Sequence, residues 1–496
     1  MKRQVISDDT ADSAFDVLHH LSGNSPYFNS PGVGLTPSVP SGCNVSAAAL
    51  FIRHTDIYAN DYEYENSLAP LISKLANFSS KNAWARDDAL AFLVNWTSPI
   101  DDPDAEIEET TIYGREDAKA LGGLVAGRYE SLLSGSGEGF NVWTADADRD
   151  QETAKAFVEG LGSVITSNIS LVIVDEGENQ TANTLTPHES CDTFSSSAGS
   201  EEQSTFISVY ATPIASRLNG IVPEFNWTAT DVFAAQALCG YETVIKNESS
   251  WCSVFGEDEW LGYEYANDLE YHHQLGFGSE VAPYLGMPWV SAVTRLLDGS
   301  AATNVSSSAN SSAASQNVWI SFSHREEPPF IVTALDLFNT TNASMPDTSI
   351  NFSRAWRTSY ILPFLANIAL EKLTCSIATG TYNATTNQTT SSGVQTSDYV
   401  RAVVNSAPIP IEGCGASGPG GSCTLEAFGS YVSDRQALYG DFTTACGIDT
   451  SSITNATNTL GIYEGVLPAS GEAVQVISVS TQGNGSVNTG EGSPSA

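Results

Sequence analysis

The stretch Ala47-Ala48-Ala49-Leu50-Phe51-Ile52-Arg53-His54 decides how this chain is read. Six consecutive apolar residues predict a strand buried on both faces, as parallel strands inside α/β sheets are. The abrupt change to Arg53-His54 puts two polar residues at its C-terminal end, where ligands of open α/β sheets gather. Outward from this strand, helix and strand alternate. Gly114 precedes a helix with Ala118, Leu121, Leu124, Val125 and Tyr129 at the 3.6-residue period, and Phe140-Asn141-Val142-Trp143 reads as a strand. Residues 151–161 form a helix with Ala154, Phe157, Val158 and Leu161 on one face, and Ile169 to Val174 is again a strand. Further on, Val318-Trp319-Ile320-Ser321-Phe322 is a strand ending at Ser323-His324, with a helix from about residue 330.

The class is therefore α/β, divided as follows. Residues 1–40 are an N-terminal arm, and 41–185 the first part of the α/β core. Residues 186–300 lose the strand signal, carry helical stretches such as Thr230 to Leu238 and Asp258 to Tyr271, and read as a mostly helical insertion. Residues 301–480 are the second part of the core, and 481–496 a disordered tail. The Ser/Ala/Asn tract 300–316 and the Thr/Asn/Ser tract 381–397 are expected as loops. Tyr399 to Val404 and Ile409 to Ile411 are expected to pair around Asn405-Ser406-Ala407.

Composition excludes several functions. The 496 residues carry 58 Asp plus Glu against 20 Lys plus Arg, a formal charge of −38, so the surface repels nucleic acid and anionic lipid. With 41% apolar residues the chain buries a large core, and no segment approaches the roughly 18 apolar residues of a membrane helix. Sixteen N-x-[ST] sequons beside eight Cys without a C-x-x-C point to the secretory route, with four disulfides, N-linked glycans and an extracellular location. The polar N-terminus leads to the expectation of a chain already trimmed of its leader, Lys2-Arg3 being the remnant of a dibasic processing site. No G-x-S-x-G, P-loop, G-x-G-x-x-G or H-E-x-x-H occurs, and neither a cofactor nor a metal is expected. The expected partner is a small-molecule substrate, and the sequence does not set the oligomeric state.

The chemistry sits at the strand ends. His54 and His324 each close a core strand beside an arginine, Arg53 and Arg325, and Arg149 stands between another strand and the next helix. Histidines and arginines converging there suit a tetrahedral phosphate, cationic donors holding its oxygens while one imidazole attacks phosphorus.

Phe51-Ile52-Arg53-His54, Phe322-Ser323-His324 and Trp251-Cys252-Ser253-Val254-Phe255 with Asp258-Glu259-Trp260 resemble the histidine acid phosphatases. This branch of the histidine phosphatase superfamily includes fungal acid phosphatases and phytases, and the resemblance runs over roughly residues 18 to 450. It takes in His20-Leu21-Ser22-Gly23-Asn24-Ser25-Pro26-Tyr27 and the helix ending at Arg128-Tyr129-Glu130-Ser131-Leu132. It implies a phosphoglycerate-mutase-like α/β sandwich core with an inserted, mostly helical smaller domain, and disulfides Cys43–Cys375, Cys191–Cys446, Cys239–Cys252 and Cys414–Cys423. In the family motif R-H-G-x-R-x-P, His54 falls on the nucleophile and Arg53 on the first phosphate clamp. Thr55 replaces the glycine and Ile57 the second clamp arginine, a loss of about 1.5–3 kcal/mol per charge-assisted hydrogen bond. Arg149 matches the third clamp and His324 the phosphate-binding histidine. Arg325 stands where the proton-donating Asp usually follows, and Glu326 resembles the H-A-E version of inositol polyphosphate phosphatases, with Glu327 a weaker candidate. Phytases carry lysines on the helix after the D-E-W segment. Here Leu269-Glu270-Tyr271-His272 stands in that place, which implies poor use of phytate.

The resemblance thus implies a secreted acid phosphatase acting on small phosphomonoesters through a phosphohistidine. The alternative, resting on Ile57 and Arg325, is a cavity reused for a non-phosphate ligand, by binding or by a lyase, isomerase or cyclisation step on a secreted small molecule.

Overall fold

Why the 47–52 run has no polar side is seen in what covers it. Ala48, Leu50 and Ile52 pack into one apolar cluster and Ala47, Ala49 and Phe51 into another, so the period-2 alternation of a strand sends both sets into protein. In the computed structural model, which describes residues 15–134, 139–165, 168–177, 180–301, 316–339, 344–383, 388–453, 455–466 and 475–479, this strand is β1 (Cys43–Arg53). The others are β2 (Gly139–Ala145), β3 (Asn168–Val174), β4 (Val318–Ser323), β5 (Asn367–Asn383), β6 (Gln388–Val404), β7 (Ala407–Ile409), β8 (Cys423–Thr424) and β9 (Gln475–Val479). They form a sheet in the order β7-β6-β5-β1-β4-β2-β3-β9, with β8 on β6. Its centre is parallel: β1 pairs with β4, β4 with β2 and β2 with β3, so four C-terminal ends lie along one edge. Antiparallel β5, β6 and β7 extend one side and β9 closes the other.

Helices cover both faces. On one lie α1 (Ile112–Arg128) and α2 (Asp148–Leu161), whose backbones touch at Gly122 and Gly160. A Cβ on Gly122 would stand 2.1 Å from the carbonyl oxygen of Phe157, so no side chain fits there. Three helices, α3 (Ser200–Ile221), α4 (Ala229–Lys246) and α5 (Glu257–Gln274), pack with residues of the segment 57–100 into a separate cluster containing Ile57, Leu68, Trp84, Leu238 and Trp260. The other face of the sheet is covered by α6 (Ala282–Asp298), α7 (Glu327–Ala334) and α8 (Leu425–Tyr439). The α/β sandwich with a helical layer beside it is the expected fold.

Several local expectations hold and one fails. All four disulfides form as the resemblance implies, Cys43–Cys375 joining directly paired residues of β1 and β5. The hairpin after β6 forms, but its return strand is Ala407–Ile409 rather than Ile409–Ile411, because it turns on Asn405 and Ser406 alone, at φ of 45° and 68°, the conformation a two-residue hairpin needs. The tract 381–397 is not the expected loop. Most of it is strand, pairing from Asn383↔Gln388 inward to Cys375↔Ser397. Its threonines favour the extended backbone, and the β5–β6 ladder simply runs on through them. Helices α2 and α7 begin three residues earlier than read, which puts Arg149, Asp150 and Glu327 in first turns. Most of the tract 300–316, the tail from 481 and the sequons at Asn179, Asn304, Asn310, Asn342, Asn387 and Asn484 lie outside the described residues. No helix among the described residues is long and apolar enough to cross a membrane.

Candidate active site

The parallel strands bring the sequence-derived residues to one edge. Arg53 and His54 leave β1, Arg149 opens α2 after β2, and His324, Arg325 and Glu326 leave β4. The nucleophile candidate is fixed from several directions. The His54 amide donates to the carbonyl of Ser323 at 2.9 Å, and the His54 carbonyl accepts from Leu365 at 3.1 Å. Thr55, in the glycine's place, donates its amide to Thr153 Oγ1 at 3.0 Å and its hydroxyl to the Gly114 carbonyl at 2.6 Å, so the threonine is built in.

The imidazole of His54 is buried, and its Nδ1 lies 2.8 Å from the Thr55 carbonyl oxygen. A carbonyl only accepts, so Nδ1 carries the proton and Nε2 presents a lone pair. Burial first, then the charges of Arg53 and Arg149, hold His54 well below the ordinary histidine range. Both causes favour the neutral ring.

Around it are two guanidinium groups with donors to spare. Arg53 Nη1 donates to the carbonyls of Gly23 and Leu362, both at 2.7 Å, and its guanidinium lies 4.4 Å over the Phe364 ring. Burial and the charge of Arg325 lower it to about 10. Arg149 pairs with Glu108 Oε2 at 2.8 Å through Nη1 and places Nη2 3.1 Å from His324 Nδ1. The Nε atoms of Arg53 and Arg149 are both buried without a hydrogen-bond partner among the described residues. Two such donors in one site call for an acceptor.

His324 lies between two carboxylates, Asp150 Oδ2 at 2.9 Å from Nδ1 and Glu176 Oε2 at 3.0 Å from Nε2. Burial opposes its charge, but the two carboxylates outweigh it and raise His324 well above the ordinary range, while Glu176 is lowered to about 2. Asp150, Glu176 and His324 have one donor atom each within 4.8 Å of one another, the spacing of a cation site. The imidazole hydrogen-bonds Glu176 through Nε2 and faces Asp150 as an ion-pair partner through Nδ1, which is the arrangement of a held imidazolium rather than of three ligands aimed at one centre.

Beyond His324, Arg325 pairs with Glu63 Oε1 at 2.8 Å and Glu326 Oε1 at 3.1 Å and contacts Tyr271 Oη at 3.1 Å. Burial would raise Glu326, but Arg325, His188 and His324 draw it below the usual carboxylate range. Glu327 turns away into protein against His188. Burial raises Glu327 despite that partner, whereas in His188 the neighbouring carboxylates overcome burial and raise it to about 10. Ile57 sits in the apolar cluster of the helical layer, its backbone bridged to Thr110.

Sequence reasoning missed Asp150, Glu176, Glu108 and His188. Glu176 follows β3 by two residues and was open to the strand-end rule that found His54. Asp150 lay hidden because α2 begins earlier than its apolar face does. Glu108 has no sequence signal: it sits at φ 67°, a backbone conformation unusual for its type, beside the loop that bridges to Ile57.

Residues 47–405 match the family model of the histidine phosphatase superfamily (branch 2). The chain is 30% identical over 464 residues to a repressible acid phosphatase of Saccharomyces cerevisiae, covering 89% of this chain and 88% of the relative. It is 28% identical to an acid phosphatase of Komagataella pastoris over 446 residues, 88% of each chain. Among solved structures, the phytase from D. castellii superposes with a TM-score of 0.77 over 94% of this chain and 93% of that one, at 23% identity. Since the family match takes in all four central strands and the residues at their ends, the chain belongs to branch 2 of the histidine phosphatase superfamily.

Proposed function

We propose that the chain hydrolyses small phosphomonoesters through a phosphohistidine on His54. The observation that carries this reading is the neutral His54, its Nδ1 bonded to Thr55 and its Nε2 left as the lone-pair nitrogen, near two guanidinium groups whose buried Nε donors lack partners among the described residues. Acid phosphatase and phytase relatives along nearly nine-tenths of the chain support it, and reuse for a non-phosphate ligand is not favoured.

In this reading Arg53 and Arg149 hold the phosphoryl oxygens, with the His324 imidazolium, whose two N–H groups face Asp150 and Glu176, and Arg325 adding positive charge nearby. His54 Nε2 attacks phosphorus as the bond from phosphorus to the ester oxygen breaks, and Glu326 protonates the departing oxygen. Glu326 then takes a proton from the water that cleaves the N–P bond, releasing orthophosphate and neutral His54. Below the second phosphate pKa near 6 the ester enters as a monoanion, and its own proton can load Glu326, which the surrounding cations otherwise keep ionised. Ile57 leaves the clamp one arginine short, so phosphate is held less tightly. The four disulfides and the sequons fit an extracellular glycoprotein.

The test is to mix protein with 4-nitrophenyl phosphate across pH 3 to 7, quench into base and locate phosphate by mass spectrometry. Turnover with phosphate on His54, both lost in His54→Ala, is expected. A wild-type protein inert over this range overturns the reading.

A further inference from the structure

Next to the reaction centre lies a cavity of about 270 Å³ whose wall includes Glu63, Glu270, Tyr271, Tyr263 and Arg325. It adjoins the reacting edge at Arg325. Arg325 belongs to both, and a Cβ on Gly23 would stand 3.6 Å from Tyr271 Oη and 3.7 Å from Arg53 Nη1, so the cavity tyrosine and the clamp arginine meet over that glycine. An ester held at Arg53 and His54 therefore has this space for its alcohol.

The charge of the space is unlike that of a polyphosphate site. Arg325 is the one cation among the described residues lining it, and Glu63 and Glu326 already take its charge. Asp231 is likewise paired, with Lys74 at 2.5 Å. Glu270 is left with an uncharged partner, Gln203 Nε2 at 2.5 Å, and no ion pair involving it exists among the described residues. Burial and Glu63, against Arg325 and Gln203, raise Glu270 to about 7. A carboxylate partly withdrawn from water gains from a cation that arrives already weakly hydrated.

We propose that this cavity selects phosphomonoesters whose alcohol carries a cationic nitrogen, in particular a quaternary ammonium, with the Glu270 carboxylate receiving the cation. This rests on the phosphomonoesterase reading above and narrows its substrate. The phosphate lies on the Arg53 side of Arg325 and the ammonium on the Glu270 side, so each charge of a zwitterionic ester meets its opposite. The step is the same hydrolysis, the ammonium alcohol leaving with the proton from Glu326.

Phosphocholine and 3,3-dimethylbutyl phosphate have one shape and differ by the charge on one atom, so their kcat/KM ratio isolates the effect. On the full chain at pH 7 the ratio is expected to exceed about fivefold in favour of phosphocholine, and choline, not 3,3-dimethylbutanol, to inhibit 4-nitrophenyl phosphate turnover. In Glu270→Gln the ratio is expected to fall toward one. At pH 5 the wild-type ratio shrinks as Glu270 takes up a proton in its setting of Glu63, Arg325, Gln203, Tyr263 and Tyr271. Equal use of the two esters by wild-type protein, or a ratio unchanged in Glu270→Gln, overturns this inference and leaves the hydrolase reading standing. Failure to turn over either ester or the aryl phosphate overturns the hydrolase reading, and this inference with it.

Discussion

His54 Nδ1 bonds the carbonyl of its own neighbour, Thr55, at 2.8 Å, so the tautomer needed for attack is set by one residue of backbone and not by a carboxylate partner. A carboxylate there would favour the imidazolium and remove the lone pair in acid. The carbonyl does not, and burial with Arg53 and Arg149 lowers His54 further. In the proposed mechanism the neutral ring is the reactive one, and its pKa is depressed, so kcat/KM for an aryl phosphate is expected to show no loss as pH falls from 6.5 to about 5. A bell-shaped profile centred above pH 8 would contradict this.

Glu326 is argued to matter through the leaving group. Replacing it by Gln removes the proposed proton donor, and general acid catalysis is worth about 10²- to 10⁴-fold for an alcohol that leaves poorly. 4-Nitrophenolate needs little help. Glu326→Gln is therefore expected to slow an alkyl phosphate by about that factor and 4-nitrophenyl phosphate far less, in side-by-side kcat measurements. Equal losses would assign Glu326 to holding Arg325 in place, consistent with their 3.1 Å contact.

The reach of sequence reasoning is visible in this site. Arg53, His54 and His324 were legible because an apolar strand ending in a charged residue is a local pattern, and the sheet needs only its own topology to bring such ends together. The partners Asp150, Glu176 and Glu108 were not, because each is defined by where a different helix or loop begins, and element boundaries depend on tertiary contacts. The same limit explains the 381–397 error: a polar Thr/Ser tract reads as loop by composition, yet it continues a ladder begun thirteen or more residues earlier at Ile368↔Val404.

The buried pair of His188 with Glu327 lies under the site, the His188 ring 5.9 Å from that of His324. Breaking a buried pair by removing one partner costs about 3–5 kcal/mol, so His188→Gln is expected to lower the thermal midpoint clearly at pH 6. His188 is raised to about 10 from an unfolded value near 6.5, so its contribution is complete below pH 6.5 and is lost as pH climbs toward 10. The gap between wild type and His188→Gln in thermal melts is expected to narrow from pH 6 to pH 10. A constant gap would leave packing as the cause.

The Cys43–Cys375 bridge spans 332 residues and ties the first core strand to β5. On the chain-entropy account a closure of this length is worth a few kcal/mol, with native disulfides of secreted proteins typically costing about 2–5 kcal/mol to remove. The double variant Cys43→Ser with Cys375→Ser is expected to unfold at lower denaturant while keeping its turnover in the folded range, because the bridge lies at the end of β1 opposite His54. Loss of turnover in protein that remains folded would show that the bridge also sets the position of the reacting edge.

On the proposed reading, Glu108 competes with phosphate for Arg149. Its Oε2 pairs with Arg149 Nη1 at 2.8 Å, while Oε1 accepts from Asn60 Nδ2 at 2.8 Å and from the Asp61 amide at 2.9 Å. A phosphoryl oxygen that uses Nη1 displaces the carboxylate, and the partial exposure of the pair keeps that cost small, about 0.4–1 kcal/mol. Glu108→Gln keeps an oxygen for Asn60 and Asp61 and removes the charge facing Arg149. Orthophosphate, measured as a competitive inhibitor of aryl phosphate turnover at pH 5, is then expected to bind about twofold to fivefold more tightly. The effect is expected to shrink in Arg149→Lys, since a lysine has no planar fork to share between Glu108 and the phosphate. Weaker orthophosphate binding in Glu108→Gln would mean that Glu108 aims Arg149 at the phosphate rather than competing with it.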